Sequence, residues 1–172
     1  MSEALAPSSS YSVESTGEHA AYEWHQNVEE VTVIVRCSPG LSAKKNIRCS
    51  IRPSRLTLET TAADAGGGEG KKTLVDHDLV GQVKPDECFW TLDSKAGSIT
   101  LTLQKLKEGE SWPGVFVGHE AISHEDRDAE QKRLLLERFQ LEHPGFDFSG
   151  AEVSGACPDA STFMGGFQNA NK

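Results

Sequence analysis

Between residues 22 and 105 the apolar side chains recur at every second position. Val31, Val33 and Val35 alternate with Thr32, Ile34 and Arg36. Ile47, Cys49 and Ile51 alternate with Arg48 and Ser50, and Leu56 and Leu58 with Thr57 and Glu59. Cys88, Trp90 and Leu92 form a further set, and Ile99, Leu101 and Leu103 alternate with Thr100, Thr102 and Gln104. A period of two puts each apolar set on one face of an extended strand. Short half-buried strands between turn signals predict an all-β fold, an antiparallel β-sandwich. Ser38-Pro39-Gly40 ends the valine strand, Pro53 cannot donate to a ladder, and Asp93 to Gly97 reads as a hairpin loop. Ala62 to Lys72 reads as a glycine-rich surface loop that tolerates insertion.

After residue 122 the period changes. Ser123 is a candidate N-cap with Asp126 three positions on, and Glu125, Asp126 and Asp128 suit a helix N-terminus. Leu135 and Phe139 are four apart, Leu134 and Leu141 seven apart, which predicts one apolar helix face. Pro144 disfavours helical geometry at His143 and stops the helix. A helix of this length is marginal alone in water, so it must dock. Beyond Pro144-Gly145 comes an aromatic strip, Phe146-Asp147-Phe148. The docking residues expected are Leu135, Phe139, Phe146 and Phe148. They staple the segment to its own sandwich, form a homodimer seam, or capture a client.

Charge divides the chain into a neutral middle and acidic flanks. The net charge is −9; residues 25–119 hold twelve acids and twelve bases, and residues 120–172 hold ten acids and five bases. An acidic excess repels phosphate backbones, which argues against nucleic acid as a partner. The flanks either stay solvated or steer the chain toward a basic partner. The first twenty residues lack the basic and apolar regions of a signal peptide, and no apolar run is long enough to cross a bilayer. A soluble intracellular protein with a disordered arm over 1–20 and a flexible tail over 156–172 is expected, without membrane contact.

Catalytic motifs are missing. Cys37, Cys49, Cys88 and Cys157 show no C-x-x-C pairing of the kind zinc knuckles use. Gly66 to Thr73 imitates a phosphate loop, but Ala65 stands where its first Gly belongs and Lys72 where its hydroxyl belongs. Asp76 and Asp78 flank His77 and, in a strand, face away from it. No G-x-S-x-G elbow occurs. The expectation is a non-enzyme that needs no cofactor or metal.

Three aromatic landmarks occur in order. They are Tyr22-Glu23-Trp24-His25-Gln26, Phe89-Trp90-Thr91-Leu92-Asp93 ahead of the 99–105 strand, and Trp112 after it. This order resembles the CS domain of NudC-like proteins, and the run from Leu136 through Pro144-Gly145-Phe146-Asp147-Phe148 to Glu152 is similar to one branch of that family. Pro113-Gly114 departs from it, since NudC-like proteins usually carry a second Trp or polar residues there. The resemblance implies a sandwich of about seven strands related to the small heat-shock proteins, as a CS domain over 21–117, followed by a helix and strip over 118–155. It implies a co-chaperone that binds the ninety-kilodalton heat-shock chaperone and stabilises clients of the dynein pathway, a lissencephaly-type β-propeller among them. An ATP-independent holdase is the alternative. The cytoplasm is the implied location, with microtubules or centrosomes as a further one. Trp112 and a basic face of Arg36, Arg48, Arg52, Lys84 and Lys105 are the expected partner contacts.

Overall fold

The computed structural model describes residues 9–42, 46–63 and 69–145. Eight strands form two antiparallel sheets. One has the order β1-β2-β3-β8-β7 and the other β4-β5-β6. The strands are β1 (Tyr11–Val13), β2 (Tyr22–Gln26), β3 (Glu30–Arg36), β4 (Ile47–Arg52), β5 (Arg55–Ala63), β6 (Glu69–Asp78), β7 (Phe89–Asp93) and β8 (Ser98–Gln104). A 3₁₀ turn, Pro85–Glu87, precedes β7, and helix α1 (His124–Glu142) follows the sheets.

Period-two patterning sets the core. Tyr22, Trp24, Val31, Val33, Val35, Ile99, Leu101 and Leu103 point inward from the larger sheet and are all essentially inaccessible to solvent. Leu56, Leu58 and Val75 meet them from the smaller sheet. Aromatic payloads of this size dominate such a core, each burying ~150–250 Å². Trp24 meets the tilted ring of Tyr11 on β1 at 5.0 Å, so the first strand covers the open flank of β2.

Two sequence expectations change. The arm expected over 1–20 contains a strand, because Tyr11–Val13 pairs with β2 in the register Tyr11↔Trp24 and Val13↔Tyr22. The glycine-rich loop is shorter than 62–72, because β5 runs to Ala63 and β6 starts at Glu69. The register of this pair carries an irregularity. Leu58 faces Val75 while Glu59 faces Thr73, so Leu74 is an extra residue in β6. Such a bulge lets two successive side chains turn inward, and Leu74 and Val75 are both buried. The helix begins and ends as expected. Ser123 Oγ accepts the Asp126 N–H at 3.1 Å, and α1 stops at Glu142, ahead of Pro144.

Candidate interaction surfaces

The closed end of the sandwich is built on Lys105. It follows Leu103 by two positions, so strand parity turns its side chain inward. There the ammonium donates to Gln26 Oε1 at 3.0 Å, the Asn27 carbonyl at 2.7 Å and the Glu110 carbonyl at 2.7 Å. Gln26 in turn clasps the backbone of Trp112, its Nε2 donating to the carbonyl and its Oε1 accepting the N–H, both at 3.0 Å. Trp112 is 1% exposed and Lys105 0%. The expectation that both meet a partner is therefore corrected: they hold the chain end against the core. Burial is the main cause that draws the Lys105 pKa down to about 8, helped by the Arg133 charge. The amine is still mostly protonated at neutral pH. Gly81 lies under the Trp112 indole, where a Cβ would come within 2.4 Å of ring carbon.

Helix α1 docks on this same end, in cis, through a polar clamp. Arg133 Nη2 donates to the Gln26 carbonyl at 2.6 Å and to Glu130 Oε1 at 2.8 Å, and its Nη1 donates to Glu137 Oε2 at 3.0 Å. Glu137 Oε1 accepts the Val28 N–H at 3.4 Å. Glu130 and Leu134 are buried beside them. At 100° per residue, positions 130, 133, 134 and 137 share a face and positions 135 and 139 lie opposite. Leu135 and Phe139 are accordingly 39% and 40% exposed. The apolar face expected from Leu135 and Phe139 is thus not the docked one. The β2–β3 turn presents backbone polar groups to the helix, and these demand hydrogen-bonding partners that leucine cannot supply. Phe146 and Phe148 lie outside the described residues.

The basic residues do not gather. Arg36 stands on the outer face of the larger sheet, paired with Glu23 at 2.8 Å. Arg48 and Arg52 are exposed on the outer face of the smaller sheet. Lys84 sits between Glu87 and Glu108 at 3.5 and 3.8 Å. The two outer faces differ in character. On the smaller sheet Arg55 bridges Asp76 and Asp78, and Lys71 pairs with Glu59. On the larger sheet one row runs Phe89, Thr102, Thr32, His25 across four strands. The next runs Thr91, Thr100, Ile34, Glu23. The middle of this face carries hydroxyls and methyls, with His25 and Glu23 on β2 and Phe89, 57% exposed, at its β7 edge.

A histidine cluster ties the N-terminal loop to the sandwich. The His19 ring stacks on His119 at 4.1 Å, and His77 meets His119 edge-on at 4.4 Å. Tyr22 Oη bonds His119 Nδ1 at 2.8 Å. Burial first, then the neighbouring His19 and His77, pull the His119 pKa down to about 4. Sequence separation hid this cluster, since its members lie in three separate segments.

Comparison with known proteins agrees with this architecture. The CS domain family pattern matches residues 20–105. NudC domain-containing protein 2 of Homo sapiens is 35% identical over 134 residues, which cover 77% of this chain and 79% of that protein. This chain is a CS-domain protein of the NudC type. The nuclear movement protein nudc of Schizosaccharomyces pombe is 22% identical over 162 residues, covering 77% of this chain and 93% of that one. Among solved structures, the CS domain of human KIAA1068 protein superposes with a TM-score of 0.50 at 19% identity, covering 63% of this chain and 81% of that one. That likeness concerns the fold. NudC-type CS-domain proteins are chaperone-type proteins, and this chain has that coarse role. Among the described residues no helix is long and apolar enough to cross a membrane.

Proposed function

We propose that this NudC-type protein is a co-chaperone adaptor. It binds the ninety-kilodalton heat-shock chaperone and stabilises client proteins of the dynein pathway, a lissencephaly-type β-propeller among them. It acts in the cytoplasm and reaches microtubules or centrosomes through those clients. The observation that carries this reading is the patch of Thr32, Ile34, Thr91 and Thr100 on the outer face of the five-stranded sheet, with exposed Phe89 at its edge. Aromatic anchors framed by polar groups are where binding energy concentrates. The rim is charged, with Glu23 and Arg36 along one side, and such charges set encounter rate more than affinity.

The test uses the purified chain and purified chaperone in a titration followed by amide shifts. The expected footprint covers Thr32, Ile34, Thr91 and Thr100, and Phe89→Glu weakens binding at least ~10-fold without changing the unfolding midpoint. An intact chain that does not bind, or a footprint elsewhere, overturns the reading. A second reading, an ATP-independent holdase, is favoured by exposed Leu106, Val117 and Leu141. Suppression of light scattering by a heat-aggregating substrate, without the large chaperone, would support it. The half-exposed Leu135 and Phe139 offer a contact for a second copy in a homodimer.

A further inference from the structure

A cleft of about 310 Å³ lies between the N-terminal loop, the end of β3 and the middle of β6. Its walls carry two cations, Arg36 and Lys72, and the hydroxyls of Ser15, Thr16 and Thr73, with no acidic side chain among the lining residues. Glu23 compensates Arg36 at 2.8 Å, so the net positive charge of the cleft rests on Lys72, in a chain of net charge −9. We infer that this cleft is an anion-binding site whose ligand is a phosphate monoester dianion.

The loop that forms one wall is closed by its own hydrogen bonds. The Thr16 N–H donates to the His19 carbonyl at 3.1 Å, and Ser15 Oγ donates to the same carbonyl at 3.2 Å. Thr16 Oγ1 accepts the Glu18 N–H at 3.3 Å. A hydroxyl that accepts still has its own proton to give, and Thr16 is among the residues that line the cleft. Opposite stands Lys72, which makes no ion pair among the described residues. Arg36 spends one nitrogen, Nη2, on Glu23 at 2.8 Å, and a guanidinium has five N–H donors. Above its second pKa of about 6 a phosphate monoester carries nearly two negative charges and three acceptor oxygens. Two cations and a free hydroxyl match that demand, whereas a single carboxylate would use only part of it. The volume leaves room for the phosphate and the first atoms of the group that bears it.

The source of the monoester is a small phosphorylated solute or a phosphorylated side chain, and two arms separate them. The intact chain at pH ~7, above the phosphate second pKa, is titrated with sodium phosphate against sodium chloride at matched ionic strength. It is then titrated with a peptide bearing one phosphoserine, against the same peptide with serine. Saturable amide shifts confined to residues 15–21, 36 and 72–73, induced by phosphate and not by chloride, are expected. A phosphopeptide at least ~10-fold tighter than inorganic phosphate identifies a phosphorylated protein segment. Equal affinity identifies the small solute, and either outcome supports the site. Lys72→Glu should weaken binding at least ~10-fold, because it puts a like charge beside the ligand. Glu23→Gln should tighten it by about threefold, because it releases Arg36. Shifts spread over the surface, equal shifts with chloride, or unchanged binding in Lys72→Glu overturn the inference.

Discussion

Lys105 shows how strand parity overrules residue type. Read by its charge, it belongs on a solvated face. Read by its position, two beyond Leu103, it belongs inside, and the structure follows position. The fold tolerates the buried charge because three acceptors surround it. An unpaired buried polar group costs ~1–3 kcal/mol. Lys105→Met keeps the aliphatic stem but strips Gln26 Oε1 and two carbonyls of their donor. It should lower stability by about 3 kcal/mol, read as a shift in the urea midpoint. A loss below ~1 kcal/mol would mean the acceptors find other donors.

Single positions of this kind set the limit of what the sequence discloses. Trp24 and Trp90 could be assigned to strands from their alternation, and Trp24 is fully buried while Trp90 packs partly exposed against the core. Trp112 lies past the last strand, where no periodicity speaks. Its burial depends on Gln26, 86 positions away. The only trace in the sequence is the Gln that closes the first aromatic motif.

Among the elements, β3, β4, β7 and β8 and the start of β5 were legible from their alternation, and β2 from its aromatic motif. β6 was not, because its bulge places Leu74 and Val75 inward in succession and breaks the period. β1 is only three residues long, too short for any period. Helix α1 was legible in extent, from its cap and its proline, but not in orientation. Counting apolar residues selected Leu135 and Phe139, while the docked face is selected by the hydrogen bonds of Arg133. Removing that side chain tests the point. Arg133→Met leaves Glu130 and Glu137 partly buried without their cation, a cost of ~3–5 kcal/mol if the helix stays. The helix should leave instead. Amide exchange over 124–142 should then accelerate at least ~10-fold while protection of β3 and β8 persists. Unchanged exchange in the helix would refute the clamp.

The histidine cluster links elements too, and it titrates. His119 has an ordinary value of 6.5 and sits at about 4 in the fold. Between these values the unfolded chain binds a proton that the native ring refuses, so stability rises with pH across that window. The contribution is complete above about 6.5, is lost as pH falls toward 4, and is flat below. The groups around the ring are His19, His77, Tyr22 and Phe116. Asp76 and Asp78, beside His77, engage Arg55 on the outer face. Urea midpoints measured from pH 7 to pH 4 should fall less steeply in His119→Gln than in the parent; parallel curves would exclude the cluster as the cause.

At the scale of the molecule, the two outer faces divide the labour that charge counting assigned to the chain as a whole. The neutral total of residues 25–119 conceals one face laced with ion pairs and another whose charges, Arg36 with Glu23, Glu30 and Asp93, surround a row of threonines. Sequence totals cannot separate them, because alternate residues of one strand belong to different faces. Arg36, Arg48, Arg52, Lys84 and Lys105 were grouped by type, and topology distributes them over two sheets, a loop and the core.

Synthesis gives the sheet order another meaning. β3 pairs with β2 almost at once, but its other neighbour is β8, in the register Arg36↔Ser98. Ser98 follows Arg36 by 62 positions. At ~5–20 residues per second, a ribosome needs about 3–12 s to deliver it. Through that interval the valine strand keeps one open edge, the kind that recruits strands of other chains. A chaperone-type protein thus passes, during its own birth, through the exposed state from which chaperones protect others.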